Sequence, residues 1–427
     1  MRILGIGSKV ELGDLYVSLV REGHEVRVYA GDPTYAGCFE GILPKIADWQ
    51  TELDWVGHTG IVLFERVGVG PQQDALRAQG YRVIGGSALG DRLEYDRAFG
   101  QQTLRDAGLQ TAPAHSFLTA PDAADWLQAN PGRTVLKYHN NAKATFVGDH
   151  ATGRDVLFQL SRGPQGPVLL MPRLVGVEVG VGAYFDGQHF LRPACIDFEH
   201  KRFCVGEMGE MTGEMGTLVA YPEHNRIFEA TLARLEPVFR DARHVGYVNL
   251  NMIANADGLW PLEFTCRFGN PGFAILAPLQ TAGWADLFTR MLDGGHDTFA
   301  TSQDWSLGIV LTVPPFPEER PGADPAEDPP IFYHHDPAPE EQPHYHLSDV
   351  RLEVRQEGGQ SISQMFARRR TGYAMVVTGT GSTIETARTA ATKRARNVCA
   401  PDLRWRTDIG DRFIDGEGAQ LKALGWL

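Results

Sequence analysis

The stretch from Val245 to Phe273, VGYVNLNMIANADGLWPLEFTCRFGNPGF, decides how the rest of the chain is read. Two apolar runs, Tyr247 to Ile253 and Leu259 to Phe264, flank Asn255-Ala256-Asp257-Gly258. Asp-Gly after Asn-Ala is a hairpin turn signal, because Asn and Gly tolerate the positive φ that tight turns require. The spacing therefore predicts two antiparallel neighbouring strands. Side chains alternate along a strand, so Glu263 and Thr265 share one face while Leu262 and Phe264 take the other. A carboxylate on a mostly apolar strand is costly to bury unpaired. Arg267 lies on the same face and offers a partner, so a structural Glu–Arg pair is one reading. The other is a ligand for a hard cation, since Mg2+ prefers carboxylate and phosphate oxygens.

Outward from this hairpin, the pattern is that of an α/β and α+β multidomain protein. Arg2 to Ser8 reads as a buried strand entering a glycine turn, followed by a helical pattern through Leu12, Leu15, Leu19 and Val20 and a strand from Glu25 to Tyr29. Gly5-x-Gly7 lacks a third glycine, so a plain scaffold is favoured over a dinucleotide site. Further strands at Ile61 to Phe64 and Tyr81 to Ile84, with a helix over Gln72 to Ala78, make residues 1–90 a doubly wound α/β domain. Arg92 to Ala107 reads as a helix closed by Gly108. Lys137, inside the short strand Val135 to Tyr138, is either a snorkelling edge residue or a phosphate contact. The polar loop from His139 to Thr145 follows it. Strands are expected at Val168 to Leu174 and Val177 to Phe185, with Glu178 near the start of the second.

CVGEMGEMTGEMG, Cys204 to Gly216, reads as a mobile, backbone-exposing loop, because its glycines oppose a regular helix. Phe228 to Ala242 and Ala277 to Leu292 read as amphipathic helices. Proline and acidic residues dominate from Pro314 to Pro343, with His334, His335, His344 and His346 at the end. A surface loop is the default there, and metal binding the alternative. Ala374 to Thr380, Gly381-Ser382 and Thr383 to Val398 read as strand, turn and helix. Residues 91–300 and 301–427 are thus expected as a middle domain and a small C-terminal α+β domain.

Composition sets the outer bounds. With 427 residues, 43% apolar and 22% charged, the chain is long enough for several cores. A net charge of −13 argues against general nucleic-acid binding, which needs a basic footprint. No apolar run reaches the length of a membrane span, and the N-terminus enters a strand without a signal peptide. Five scattered cysteines without a CxxC fit a reducing cytoplasm and give no zinc site.

A strand lysine, a glycine loop and a glutamate-bearing hairpin suit nucleotide phosphates and magnesium, and here the chain resembles the ATP-grasp ligases. Within them it is most similar to phosphoribosylamine–glycine ligase (glycinamide ribonucleotide synthetase), as a divergent relative. Glu199-His200-Lys201-Arg202 with Met211-Thr212-Gly213-Glu214-Met215-Gly216 stands against the family's Asp-His-Lys-Arg and Asn-Thr-Gly-Gly-Met-Gly at the same spacing. Glu263-Phe264-Thr265-Cys266-Arg267-Phe268-Gly269-Asn270-Pro271 stands against Glu-Phe-Asn-x-Arg-Phe-Gly-Asp-Pro. Gly372 to Asp408, with its GTGST turn, alanine-rich helix and Arg406-Thr407-Asp408-Ile409-Gly410, resembles the family's closing domain. The resemblance covers most of the chain in order.

It implies an ATP-grasp fold in which two subdomains hold ATP, with Mg2+ or Mn2+. It also implies an amide-forming reaction through an acyl phosphate, releasing ADP and phosphate. On that model Lys137 contacts the phosphates, Lys143 keeps the job of a lysine in the family's glycine-rich loop, and Arg97 stands where the family often has Lys. Pro172, Arg173 and Leu174 form the hinge that meets adenine, and Glu178 accepts from the ribose hydroxyls. Glu263 and Thr265 hold the metal. Lys201, Arg202 and Arg267 face the transferring phosphoryl group, beside a loop that shields the acyl phosphate. Thr212, Gly213, Glu214 and Asn270 fall on the substrate side.

The departures fall on both sides: His139 to Thr145 replaces the family's glycine-rich ATP loop with a shorter run that has no glycine, Thr265 stands for its second metal-ligand Asn, and the amine side changes most. The family's Gly-Gly-Arg-Glu-His and Gly-Pro-Glu-Ala-Pro-Leu motifs are replaced by Gly7 to Glu11 and by Phe64 to Gly70, which offer Lys9, Glu11, Glu65 and Arg66. The expected function is a carboxylate–amine ligase using an amino acid with altered amine specificity. The alternatives are an authentic phosphoribosylamine–glycine ligase and a non-catalytic nucleotide-binding homologue. Small-molecule amino-acid and amine partners follow, with room for a homodimer and a cytoplasmic location.

Overall fold

The computed structural model describes residues 1–138, 145–164, 166–320, 322–358 and 360–427. It divides into two compact units, one made of Met1–Asp91, Val179–Leu250 and Phe264–Leu427, the other of Arg92–Glu178 and Asn251–Glu263.

The first unit opens with a five-stranded sheet in the order Lys45–Ile46, Glu25–Ala30, Arg2–Gly7, Ile61–Phe64, Arg82–Ile84. Every pairing in it is parallel. The doubly wound expectation is met, and the order reverses between Arg2–Gly7 and Ile61–Phe64. The Gly5-x-Gly7 signal has a packing cause. A Cβ at Gly5 would collide with the Tyr16 ring of helix Gly13–Arg21, and one at Gly7 with the Glu65 carboxylate. Both glycines let neighbouring groups approach the strand closely.

The same unit contains an antiparallel run of Val177–Asp186, Cys195–Glu199, Gly216–Ala220, Trp305–Thr312, Tyr373–Gly381 and Tyr345–Leu347. Val245–Asn255 and Gly258–Thr265 complete an eight-stranded order, and each runs on into the second unit. Helix Ile384–Asn397 is capped by Thr383, whose hydroxyl accepts from the Thr386 amide at 3.2 Å, and lies on strand Tyr373–Gly381. A Cβ at Gly379 would collide with the helix backbone at Ala387 and Ala391, which is why this face is glycine against alanine. One core joins Leu15 and Leu19 of the parallel layer to Phe268, Trp284 and Phe288.

The second unit holds an antiparallel sheet in the order His115–Phe117, Val168–Pro172, Thr134–Tyr138, Thr145–Val147. Helices Ala120–Ala129 and Arg154–Arg162 bury Leu127, Val156 and Leu160 against Leu136 and Leu170.

Four element expectations change; the helix expected over Ala277 to Leu292 is a 3-10 turn at Ala277–Leu279 and a helix at Gly283–Asp293, parted before Gly283 with its positive φ. The helix expected over 92–107 is two, Ala88–Tyr95 and Arg97–Asp106, because the Asp96 carboxylate caps the second by accepting from the Phe99 amide at 3.0 Å. The single helix expected over 228–242 breaks at Thr231, whose φ of −129° and ψ of −89° separate Arg226–Ala230 from Leu232–Leu235 and Glu236–Asp241. The segment 204–216 is not an irregular loop. It contains a hairpin of Arg202–Cys204 and Met208–Met211, turned at Gly206 and Glu207, both with positive φ.

Candidate functional site

In the second unit the Asn-Ala-Asp-Gly turn joins Val245–Asn255 to Gly258–Thr265, as expected. The Asn255 side chain organises it, accepting from the Asp257 amide and the Trp260 indole, each at 3.0 Å, and donating to the Val175 carbonyl at 3.1 Å. The segment carrying Pro172, Arg173, Leu174 and Glu178 is thereby tied to this hairpin. Leu174 and Trp260 pack on Ala112, Leu169 and Met171, and Arg173 pairs with Asp149.

Lys137 is 8% exposed, and its strand has partners on both sides, so the edge-residue reading fails. A lysine this buried needs anionic or acceptor neighbours. Lys143 lies outside the described residues. Glu263 pairs with Arg97 at 3.0 Å, both side chains partly exposed. Arg97 is brought to Glu263 because Gln101, one turn along its helix, donates to the carbonyls of Pro261 and Leu262 and docks the helix on the strand.

In the first unit the alternation continues through Thr265, Arg267 and Gly269, which are half-exposed, against buried Phe264, Cys266 and Phe268. Phe268 makes edge contacts to Trp284 and Phe288 with centroids 6.1 and 6.0 Å apart. Such pairs contribute about 0.5–1.5 kcal/mol each beyond burial and hold the strand end that carries Arg267 and half-exposed Asn270.

Lys201 pairs with Glu199 at 3.0 Å, and its carbonyl accepts from the amide and hydroxyl of Thr212, each at 2.8 Å. Met215 returns to the His200 carbonyl at 2.8 Å, so Gly213 and Glu214 form a short bridge between two anchored positions. Arg202 donates to the Gly209 carbonyl at 2.8 Å, closing the hairpin on itself. His200 is held neutral, its pKa lowered to about 3 by burial and by Arg412 and Arg406.

Arg406 was quoted in the sequence only as part of a motif, and its role was missed. It is 1% exposed and donates to the Arg202 carbonyl at 2.8 Å, to Glu207 at 2.7 Å and to both Asp408 oxygens. Asp408 also accepts from the Gly206 amide at 2.8 Å. The hairpin is therefore clamped from the far end of the chain. Among the four histidines, His346 bonds Asp14 at 2.8 Å and Thr378 at 3.1 Å, and His344 bonds Thr378 at 3.0 Å. Both ring nitrogens of His346 are used, which replaces the surface-loop and metal readings for this pair with a buried network.

The loop after Ile61–Phe64 behaves unexpectedly. Arg66 is exposed, but Glu65 is 1% exposed, and its Oε2 accepts from the Glu11 amide at 2.9 Å. Burial and the Glu11 charge push its pKa up to about 8. The Gly68 and Gly70 amides donate to Asp91 at 2.7 and 2.6 Å. An internal carboxylate thus fills the place where an external anion would be bound by backbone.

No group of three or more His, Cys, Asp or Glu side chains gathers to hold a metal among the described residues. Glu263 and Thr265 offer one carboxylate and one hydroxyl. That set suits Mg2+ arriving on nucleotide phosphates, because Mg2+ takes one or two carboxylates plus phosphate oxygens. No helix among the described residues is long and apolar enough to cross a membrane.

Comparison with known proteins agrees with this geometry. Residues 95–273 match the phosphoribosylglycinamide synthetase ATP-grasp (A) domain. The phosphoribosylamine–glycine ligase of Nostoc sp. is 32% identical over 58% of this chain, and the match spans 63% of that enzyme. The Corynebacterium ammoniagenes enzyme of the same name is 26% identical over 97% of this chain and 99% of its own length. The crystal structure of the Thermotoga maritima phosphoribosylamine–glycine ligase superposes with a TM-score of 0.71 at 18% identity, over 96% of this chain and all of that one. Residues 95–273 thus match an ATP-grasp domain, the chain has the ATP-grasp fold, and its relatives are ligases that form carbon–nitrogen bonds. Within them it resembles phosphoribosylamine–glycine ligase, as a divergent relative. ATP-grasp ligases generally use ATP and a divalent cation.

Proposed function

We propose that this chain is an ATP-dependent carboxylate–amine ligase that activates an amino-acid carboxylate as an acyl phosphate and joins it to an amine other than phosphoribosylamine. One observation carries the altered specificity: Asp91 fills the amides of Gly68 and Gly70 beside a buried Glu65. A sugar phosphate wants free donors and positive charge. This mouth offers neither at those amides.

The roles follow the chemistry of each group. Lys137 supplies a buried point charge for the nucleotide phosphates, joined by Lys143 from the loop that follows. Pro172, Arg173 and Leu174 present backbone to adenine, with Glu178 accepting from ribose. Glu263 and Thr265 hold Mg2+, which neutralises charge on the phosphoryl group; Arg97, paired with Glu263 at 3.0 Å, orients that carboxylate. Lys201, Arg202 and Arg267 steady the acyl phosphate, while Thr212, Gly213, Glu214 and Asn270 border the substrate. The hairpin around Gly206 excludes water, since hydrolysis would waste the activated carboxylate. The same reading divides the chain at about residues 90 and 300 and places it in the cytoplasm.

Phosphate release from ATP tests the proposal, with amino acids and amines screened in parallel against glycine plus phosphoribosylamine. Turnover with another amine is expected. Efficient turnover only with glycine and phosphoribosylamine would restore the purine role, which the full-length similarity to the Corynebacterium ammoniagenes enzyme favours. Nucleotide binding without phosphate release under any condition would leave a non-catalytic homologue.

A further inference from the structure

A cavity of about 260 Å3 lies in the first unit, walled by three stretches far apart in the chain. Helix Gly13–Arg21 contributes Asp14, Ser18, Arg21 and, just past its end, Glu22. These fall at i, i+4, i+7 and i+8, which is one stripe of a helix with 3.6 residues per turn. Pro278 and Trp284 come from the start of helix Gly283–Asp293 and the turn before it. Pro343 and Tyr345 come from the segment entering strand Tyr345–Leu347. None of these residues has a part in the nucleotide, metal or phosphoryl roles.

The buried polar groups of the lining are already satisfied. Asp14 bonds His346 at 2.8 Å and accepts from the Leu347 amide at 3.1 Å. The exposed ones are not used up. Arg21 makes no ion pair among the described residues. Glu22 accepts from the Trp284 and Ala285 amides at 3.1 and 3.0 Å, one on each oxygen. A carboxylate has about four lone-pair sites, so Glu22 can accept further donors. Adjacent residues of opposite charge thus border a space whose other walls are Trp284, Tyr345, Pro278 and Pro343.

Size and charge together select a ligand. An apolar cavity of about 150 Å3 takes benzene, so this one has room for a single ring or branched chain with a short polar head. A free α-amino acid has the matching head. Its ammonium brings three donors for Glu22, and its carboxylate brings two acceptors for the Arg21 fork. We propose that this cavity is a binding site for a free α-amino acid with a large apolar side chain, its ammonium on Glu22, its carboxylate on Arg21 and its side chain against Trp284 and Pro343. A simple anion would be repelled by Glu22 and a simple amine by Arg21, so only the zwitterion gains from both. The inference goes beyond the ligase reading and does not rest on it.

Calorimetry on the full chain tests this with L-phenylalanine and three partial ligands: phenethylamine without the carboxylate, 3-phenylpropionate without the ammonium, and glycine without the side chain. L-phenylalanine is expected to bind about tenfold tighter than each of them, with or without saturating ATP and Mg2+. Arg21→Ala and Glu22→Gln should each weaken it about tenfold, whereas Glu263→Gln should leave its affinity unchanged. Arg21 is exposed and Glu22→Gln keeps an acceptor for the helix amides, so both variants should fold. No binding of L-phenylalanine, equal affinity for the partial ligands, or unchanged affinity in Arg21→Ala overturns the inference. Binding that survives Arg21→Ala but is lost in Glu263→Gln also overturns it, by placing the amino acid at the metal. L-phenylalanine binding without phosphate release under any condition would sink the ligase reading and leave this cavity standing.

Discussion

The hairpin that carries Glu263 and the mouth that carries Glu65 treat the same side chain in opposite ways. Glu263 is partly exposed and paired with Arg97 at 3.0 Å. Glu65 is buried, accepts from the Glu11 amide at 2.9 Å and has the buried Tyr16 hydroxyl beside it. A carboxylate paired with an arginine at a partly exposed site suits a cation that travels with phosphates. A carboxyl pushed toward neutrality by burial suits a ligand that brings the charge with it.

The comparison breaks most visibly if its frame is disturbed. Arg406→Ala removes the clamp on the Arg202–Met211 hairpin and leaves Asp408 and Glu207 without their guanidinium. A stability loss of about 3–4 kcal/mol is expected by chemical denaturation, somewhat discounted because its acidic partners are partly exposed. Wild-type stability in that variant would mean the hairpin holds itself.

Glu65 predicts a pH signature. Its folded pKa of about 8 lies above its unfolded value near 4.5, so the native state binds more protons between those limits. Its favourable contribution is complete below pH 4.5 and is lost as pH rises toward 8, by roughly 4 kcal/mol. Buried neutral His200 and His244, both lowered to about 3, act in the opposite sense at acid pH. The wild-type curve therefore mixes both effects, and the difference between wild type and Glu65→Gln isolates the first. A difference curve flat from pH 5 to 8 would return Glu65 to the ordinary carboxylate range.

On the other side, Glu263→Gln should cut ATP-dependent phosphate release about 100-fold, equivalent to about 2.7 kcal/mol of barrier. The melting temperature should move little, because a partly exposed pair contributes only about 0–1 kcal/mol. Wild-type turnover of the variant at low magnesium would remove Glu263 from the metal. Lys137→Ala is the mildest change, expected to weaken ATP binding about tenfold, or about 1.4 kcal/mol. Unchanged affinity would leave Lys137 a buried strand residue of structural value only.

What the sequence determined by itself was local or modular. The Asn-Ala-Asp-Gly turn, the alternation through Phe264, Cys266 and Phe268, and the alanine face of Ile384–Asn397 depend on φ tolerance and on periods of two and 3.6 residues. The motifs around Lys201 and Glu263 identified the class because they are short runs at set spacing. Only the tertiary structure decided that Arg97 meets Glu263 in an ion pair, that Asp91 fills the Gly68 and Gly70 amides, and that Arg406 clamps the hairpin. It also decided that Glu65, Glu214 and Asp349 are buried. The reason is physical: burial and the choice of charge partner are set by groups brought close in space from distant parts of the chain. A carboxylate has no pattern of its own that announces which of those neighbours it will find.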